Sequence, residues 1–283
     1  MEPLQNRIAL HTWTLDTTPL TDVLRIAREA GYAAVELRHI DYQRALASGL
    51  TRERYLDQVR ASGMKVAVMG IENGVVFAEG EERTRLLASF ELSCANAVAL
   101  GCNTLMISPG NNRSTSVQHA GESYRRAGEI AQHHGLKLAL EFSSRHPLLN
   151  RTAIAREIAA TAGLANCGLL LDAYHLQCVG EGGRSFEHIP LHEINAFQFS
   201  DVPPGPPADA TSALDRLPPG QGTVDWNGVF GVLLEKGYEG YISYEAPNPA
   251  QWSRPPEEVA REGISATRAL IERARHLAAP SPT

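Results

Sequence analysis

The sequence predicts a single (β/α)8 barrel, and three observations carry that prediction. Short apolar runs of strand length alternate with helical stretches eight times along the chain. That order implies a parallel sheet, and this number of units closes it into a barrel. The helical stretches repeatedly run into glycine, which ends a helix without strain before the next strand. Finally, no G-x-G-x-x-G or G-x-x-x-x-G-K-[ST] loop follows any strand, which weighs against the alternative of an open doubly wound sheet.

The elements follow in order. Residues 8–13 form the first strand, and Pro19 and Leu20 open a helix that Gly31 closes. Residues 33–37 make the second strand, and Thr51 caps a helix ending near Gly63. The third strand, 65–69, runs into a loop with Glu72, Asn73 and Phe77. A long helix from about residue 81 turns Leu87, Phe90, Cys94 and Ala97 to one side and stops at Gly101. Pro109 and Gly110 break the fourth strand, 103–107. Val117, Ala120, Tyr124, Ala127 and Ala131 then mark a helix at three-four spacing.

Strand five, 136–140, ends on Glu141, and a helix over 152–162 follows. Gly168-Leu169-Leu170-Leu171 is a short run with no period-two alternation, as in a strand buried on both faces, and it ends abruptly on Asp172. Strand seven, 194–200, ends on Asp201, and the Pro- and Gly-rich segment 202–222 reads as a functional loop on the barrel face. Asp225 caps a helix over 226–236, and strand eight, 240–244, ends on Glu245. The last helix directs Val259, Gly263, Ala266, Leu270, Ala274 and Leu277 inward, leaving a flexible tail at 278–283 of one domain spanning 1–283.

Composition narrows the partners. A net charge of −6 and the lack of any Lys/Arg cluster argue against nucleic acid. The four cysteines are widely spaced with no C-x-x-C, as expected of buried, reduced thiols in a cytoplasmic protein. The first seven residues have no signal-peptide character, and no window approaches the roughly 20 apolar residues of a membrane span.

In a barrel the C-terminal ends of all strands meet on the face where chemistry is done. Here that face collects His11, Glu36, Glu72, Ser108, Glu141, Asp172, Gln198 and Glu245. A lone strand-end aspartate such as Asp172 is ordinarily a helix cap. Three carboxylates and an amide converging from strands five to eight would repel one another, and a divalent cation resolves the conflict. The expected ligands are therefore Glu141, Asp172, Gln198 and Glu245. All are oxygen donors, which suits Mn2+ or Mg2+, with Co2+ or Zn2+ as alternatives. His175, three residues beyond Asp172, is placed to orient a ligand or to contact substrate.

This tetrad resembles the metal site of the xylose isomerase-like TIM barrel superfamily, in its sugar phosphate isomerase/epimerase-like branch. The resemblance rests on L-A-L-E-F, L-L-L-D-A-Y-H-L, F-Q-F-S-D-V, R-L-P-P-G-Q-G-T-V-D-W and G-Y-I-S-Y-E-A-P, spread over nearly the whole chain. One departure stands out. Many members carry His in strand seven where this chain has Gln198, a variant resembling 3-dehydroshikimate dehydratase-like members.

The resemblance implies removal of a proton next to a carbonyl. Glu141 and Glu245, from strands far apart, would address opposite faces of a substrate carbon, giving isomerisation or epimerisation of a sugar through an enediolate. The alternative is a lyase acting on a dehydroshikimate- or inosose-like substrate or a 3-keto glycoside, with His146 or His175 as acid or base. His11, Glu72 and Arg216 are expected to bind substrate, Arg216 by a bidentate contact. Trp13 and Trp252, with Phe77 and Phe142, are expected either to form an apolar wall or to pack into the barrel rim, and Glu36 and Asp201 to orient ligands. The expected partner is a small carbohydrate or cyclitol, and the resemblance implies a homo-oligomer. Phosphodiester hydrolysis fits poorly with the negative charge, and a catalytically silent sugar-binding barrel is the remaining option.

Overall fold

A computed structural model describes residues 2–111, 116–205 and 213–278. Eight parallel strands close on themselves in chain order: β1 (Ile8–His11), β2 (Ala34–Leu37), β3 (Lys65–Gly70), β4 (Thr104–Ile107), β5 (Lys137–Glu141), β6 (Cys167–Asp172), β7 (Ile194–Phe199) and β8 (Ile242–Tyr244). The helices are α1 (Leu20–Ala30), α2 (His39–Ala47), α3 (Arg52–Ala61), α4 (Gly80–Ala99), α5 (Val117–His133), α6 (Thr152–Ala162), α7 (Ala173–Cys178), α8 (Trp226–Glu235), α9 (Pro249–Trp252) and α10 (Pro256–Ala278). The fold is the expected (β/α)8 TIM barrel. Every residue of β6 is buried, which is why its sequence shows no alternation.

Within the chain two compact units are distinguished. One comprises the chain up to Val35, Asp172–Leu191 and the chain from Phe197 onward; the other comprises Glu36–Leu171 and His192–Ala196. In the first, β8 lies between β1 and β7, with Ser243 in register with both Ala9 and Gln198. Its α10 packs on α1 and α8. In the second, β3 to β6 pair successively, Glu141 stands in register with Leu170, and α5 packs on α6.

Several elements differ from expectation. The inner face of α4 uses Leu86 with Phe90, Cys94 and Ala97, while Leu87 is half-buried. On α10, Val259, Gly263 and Ala274 face inward as expected, but Leu270 is half-buried and Leu277 is 65 % exposed. Steps of seven residues drift by about 20° on a straight helix, so Gly263, Leu270 and Leu277 turn progressively outward. Ile264, Thr267 and Ile271 take over the buried face.

The first strand ends at His11, because Thr12–Leu15 turns into a 3-10 helix. Cys178 is exposed, unlike the buried Cys94, Cys102 and Cys167, and all four are free thiols. Ala278 is the last residue of α10. Residues 279–283 of the expected tail and 206–212 of the expected loop lie outside the described residues. Among the described residues, no helix is long and apolar enough to cross a membrane.

Candidate active site

In the first unit the ends of β1, β6, β7 and β8 carry His11, Asp172, Gln198 and Glu245, each no more than 4 % exposed. Asp172 divides its two oxygens between two roles. Its Oδ1 accepts the Tyr174 N–H at 2.9 Å and caps α7, while Oδ2 receives Arg216 Nη1 at 2.7 Å. The same Nη1 stands 2.9 Å from Glu245 Oε2, so the two carboxylates converge on one atom. His11 Nδ1 accepts the Trp13 N–H at 3.1 Å, which leaves Nε2 to carry the proton of the neutral ring. That Nε2 lies 3.3 Å from Glu245 Oε1. His175 Nε2 is 3.4 Å from Arg216 Nη2 and 3.9 Å from Asp172 Oδ2.

Arg216 takes a role that the sequence did not announce. Expected as a substrate ligand, it is 2 % exposed and supplies positive charge to two of the carboxylates thought to need a metal. Its guanidinium lies 4.3 Å above the Tyr174 ring, and Tyr174 Oη donates to Asp215 Oδ1 at 2.6 Å. Ser200 Oγ accepts from Nη1 at 3.4 Å. The repulsion between Asp172 and Glu245 is thus already moderated by the protein, and the case for a metal passes to the chemistry of the donors.

The loop that delivers Arg216 is built around Asp201, which is fully buried. Its Oδ1 accepts the Val224 N–H at 2.9 Å, and its Oδ2 accepts the Gly220 N–H and Trp226 Nε1–H, both at 2.8 Å. Its backbone exchanges two hydrogen bonds with Leu217, the residue after Arg216. The glycines of the P-P-G-Q-G motif follow from this. Gly220 adopts φ +88°, and a Cβ on Gly222 would collide with Val202 O and the Asp201 carboxylate. Asp201 therefore fixes this loop, where it was expected to orient a metal ligand. Asp225 caps α8 through the Gly228 N–H, as expected. Trp13 and Trp252 remain partly exposed and meet where Trp252 Nε1 donates to Trp13 O at 3.1 Å.

In the second unit Glu141 ends β5 and is 8 % exposed. Its register partner is Leu170, on the neighbouring strand. Glu141 is a buried carboxylate at the end of its strand, an oxygen donor of the kind a divalent ion takes. His146, expected as an acid or base, is 6 % exposed; its ring stacks on Phe77 at 4.9 Å and its Nδ1 accepts the Leu149 N–H at 2.8 Å.

Phe77 and Phe142 are wholly buried and belong to the core, the packing alternative to a substrate wall. Glu36 is likewise fully buried. Ser108 Oγ donates to Asn73 Oδ1 at 2.7 Å. Glu72 is engaged by Arg85 at 2.7 Å and Ser89 at 2.9 Å, and the Arg85 guanidinium holds its carboxyl below the usual range. Tyr174 and Ser200 were missed by the sequence reading. A signal existed for each: Tyr174 lies between Asp172 and His175, and Ser200 follows Gln198 by the strand period of two.

Comparison with known proteins agrees with this architecture. Residues 24–270 match the family model of the xylose isomerase-like TIM barrel, and the chain belongs to that family. It is 24 % identical over 270 residues to the inosose isomerase of Halalkalibacterium halodurans, covering 92 % of this chain and 94 % of that one. It is also 28 % identical over 167 residues to the 3-dehydroshikimate dehydratase of Pseudomonas aeruginosa, covering 57 % of this chain and 26 % of that one. Among solved structures, the IolI protein with a binding zinc atom superimposes with a TM-score of 0.84 at 20 % identity, over 95 % of this chain and 99 % of that one.

Proposed function

We propose that the protein is a divalent-metal-dependent isomerase or epimerase of a small sugar or cyclitol, moving a proton next to a carbonyl through an enediolate. The observation that carries this reading is the convergence of Asp172 and Glu245 on a single atom at the barrel's strand ends, with Gln198 fully buried on the strand between theirs. Carboxylate and amide oxygens of that kind fit a hard or borderline cation, Mn2+ or Mg2+ first. The proposed ligands are Glu141, Asp172, Gln198 and Glu245. When bound, such an ion withdraws electron density from a substrate oxygen and makes the neighbouring C–H acidic.

The chain's own residues do the rest. Glu141 and Glu245 exchange the proton with the substrate carbon. His11 steadies Glu245 through Nε2, and its backbone-bound Nδ1 fixes the ring. Burial of these groups keeps bulk water from competing for the reactive carbanion. The likeness to a protein named inosose isomerase supports a cyclitol ketone as the substrate class.

A second reading, a lyase, is favoured by one observation: His175 adds an acid/base group beside the carboxylates, 3.9 Å from Asp172. The likeness to a 3-dehydroshikimate dehydratase supports it. One experiment separates the two. Metal-stripped protein is resupplied with Mn2+ or Mg2+ and offered keto-sugars, inososes and keto-glycosides in deuterated water. An isomerase or epimerase incorporates solvent deuterium beside the carbonyl without new ultraviolet absorbance, whereas a lyase produces an absorbing enone. Neither signal from any substrate, with metal bound, defeats both.

A further inference from the structure

We propose that Tyr174, together with Asp215, is a latch that holds Arg216 over Asp172 and Glu245 as a built-in competitor for the cation those carboxylates would bind. The inference rests on the metal reading above and concerns how tightly this chain takes the ion. Arg216 Nη1 stands 2.7 Å from Asp172 Oδ2 and 2.9 Å from Glu245 Oε2, so the guanidinium already engages oxygens assigned to the metal. A carboxylate oxygen held by an arginine gives up part of that contact to serve a divalent ion. Whatever fixes Arg216 in place therefore lowers the apparent affinity for the ion.

Tyr174 does the fixing through three separate contacts. Its backbone N–H donates to Asp172 Oδ1 at 2.9 Å, which settles how that carboxylate is turned. Its ring lies 4.3 Å from Arg216 Cζ, a cation–π contact between two buried side chains, where water competes little. Its phenol donates to Asp215 Oδ1 at 2.6 Å and so ties down the residue immediately before Arg216. One residue thus touches the arginine, the neighbour that carries it and the carboxylate it faces. The bond from phenol to carboxylate also enriches the ring in electrons, which strengthens its hold on the guanidinium.

Main-chain contacts do not perform this task. The Asp201–Leu217 backbone pair and the Asn248 Nδ2 bond to Arg216 O at 3.0 Å fix the path of the chain. They place the arginine's backbone without choosing among the rotamers of its long side chain. Ser200 Oγ, the Glu245 carbonyl and His175 Nε2 each lie 3.4 Å from the guanidinium nitrogens, at the long end for a hydrogen bond. The short contacts are to the two carboxylates, the groups a cation would take. An aromatic ring is no ligand for a hard ion, so the hold of Tyr174 on Arg216 is independent of those oxygens.

The test is Mn2+ binding to the metal-stripped protein, read by isothermal titration calorimetry, and its sign decides. Tyr174→Phe keeps the ring and loses the bond to Asp215. It should bind Mn2+ about 3- to 10-fold more tightly than the native protein, less than the full worth of a hydrogen bond to a charged group because Asp215 is half-buried. A role confined to packing predicts the opposite sign, since a loosened site holds metal less well. In an Arg216→Met background, with no competitor to latch, Tyr174→Phe should change Mn2+ affinity no further. Circular dichroism and unfolding midpoints establish that each variant is folded at the titration temperature; if Arg216→Met is not, the sign in Tyr174→Phe decides alone. Unchanged or weaker Mn2+ binding in Tyr174→Phe, or an equal gain with and without Arg216, overturns the proposal while leaving the metal reading in place. Failure of the unaltered protein to bind Mn2+ overturns the metal reading and this proposal together.

Discussion

Arg216 Nη1 stands 2.7 Å from Asp172 Oδ2, an ion pair in which neither side chain is more than 2 % exposed. Glu245 shares the same nitrogen, so a single guanidinium compensates two buried carboxylates. Replacing Arg216 by Met leaves both without their charge partner, and removal of one member of a buried pair costs about 3–5 kcal/mol. Urea unfolding of Arg216→Met in chelator should show a loss of that size. Adding Mn2+ should restore more stability to the variant than to the native protein, because a cation returns to the carboxylates. An equal metal increment in both proteins would separate Arg216 energetically from the metal site.

The carboxylates assigned to proton transfer give the sharpest test of activity. Glu141→Gln and Glu245→Gln keep side-chain volume and an oxygen donor but remove the base. Loss of a positioned general base lowers turnover by about 10²- to 10⁴-fold. Both variants should remain folded by circular dichroism and should lose solvent-deuterium exchange into the substrate along with turnover. Native exchange rates in either would remove that residue from the chemistry.

Which parts of this site were legible beforehand follows from how locally each is encoded. Asp172 and Glu245 could be read because each ends a short apolar run, and strand ends of a parallel barrel share one face. The place of Arg216 could not. It depends on the backbone bridge between Asp201 and Leu217 and on four donors gathered by the Asp201 carboxylate, which no periodicity records. Burial of His146 depends on Phe77, distant in sequence. Helix faces failed gradually, as at Leu277, because a seven-residue step is not a whole number of turns. The charge argument for a metal weighed carboxylates against each other and omitted a cation brought by a loop, Arg216.

Cysteine reactivity tests the packing apart from the chemistry. Burial pushes the thiols of Cys94, Cys102 and Cys167 up to about 12. On the order of one in ten thousand is then thiolate at about pH 8, and the thiolate is the reactive form. Cys178 is exposed. A maleimide titration of the native protein should label Cys178 quickly and the other three only after denaturation, as read by intact mass and peptide mapping. Rapid labelling of Cys102 or Cys167 in the native state would contradict their burial beside the strands.

Acid stability is set in part by a cluster remote from the chemistry in sequence: His39, Glu72 and Arg85. Arg85 hydrogen-bonds Glu72 and holds its carboxyl below the ordinary value, so Glu72 favours the folded state above that value and loses this contribution as pH falls through its folded pKa. His39 Nε2 lies 3.7 Å from Glu72 Oε2, yet burial depresses the imidazole, and the Arg85 charge adds to the effect. The unfolded chain therefore takes up the His39 proton first as pH drops below the ordinary histidine value, again favouring unfolding. Both groups act with the same sign, so stability should decline from about pH 7 downward and continue through the carboxylate range. Arg85→Gln removes the hydrogen bond that lowers Glu72 and the charge that lowers His39. Its unfolding free energy should start below that of the native protein at neutral pH and fall less steeply on acidification, so that the two curves converge. Parallel curves in urea-unfolding series across this pH range would show that the Arg85 contacts do not set the titration of either partner.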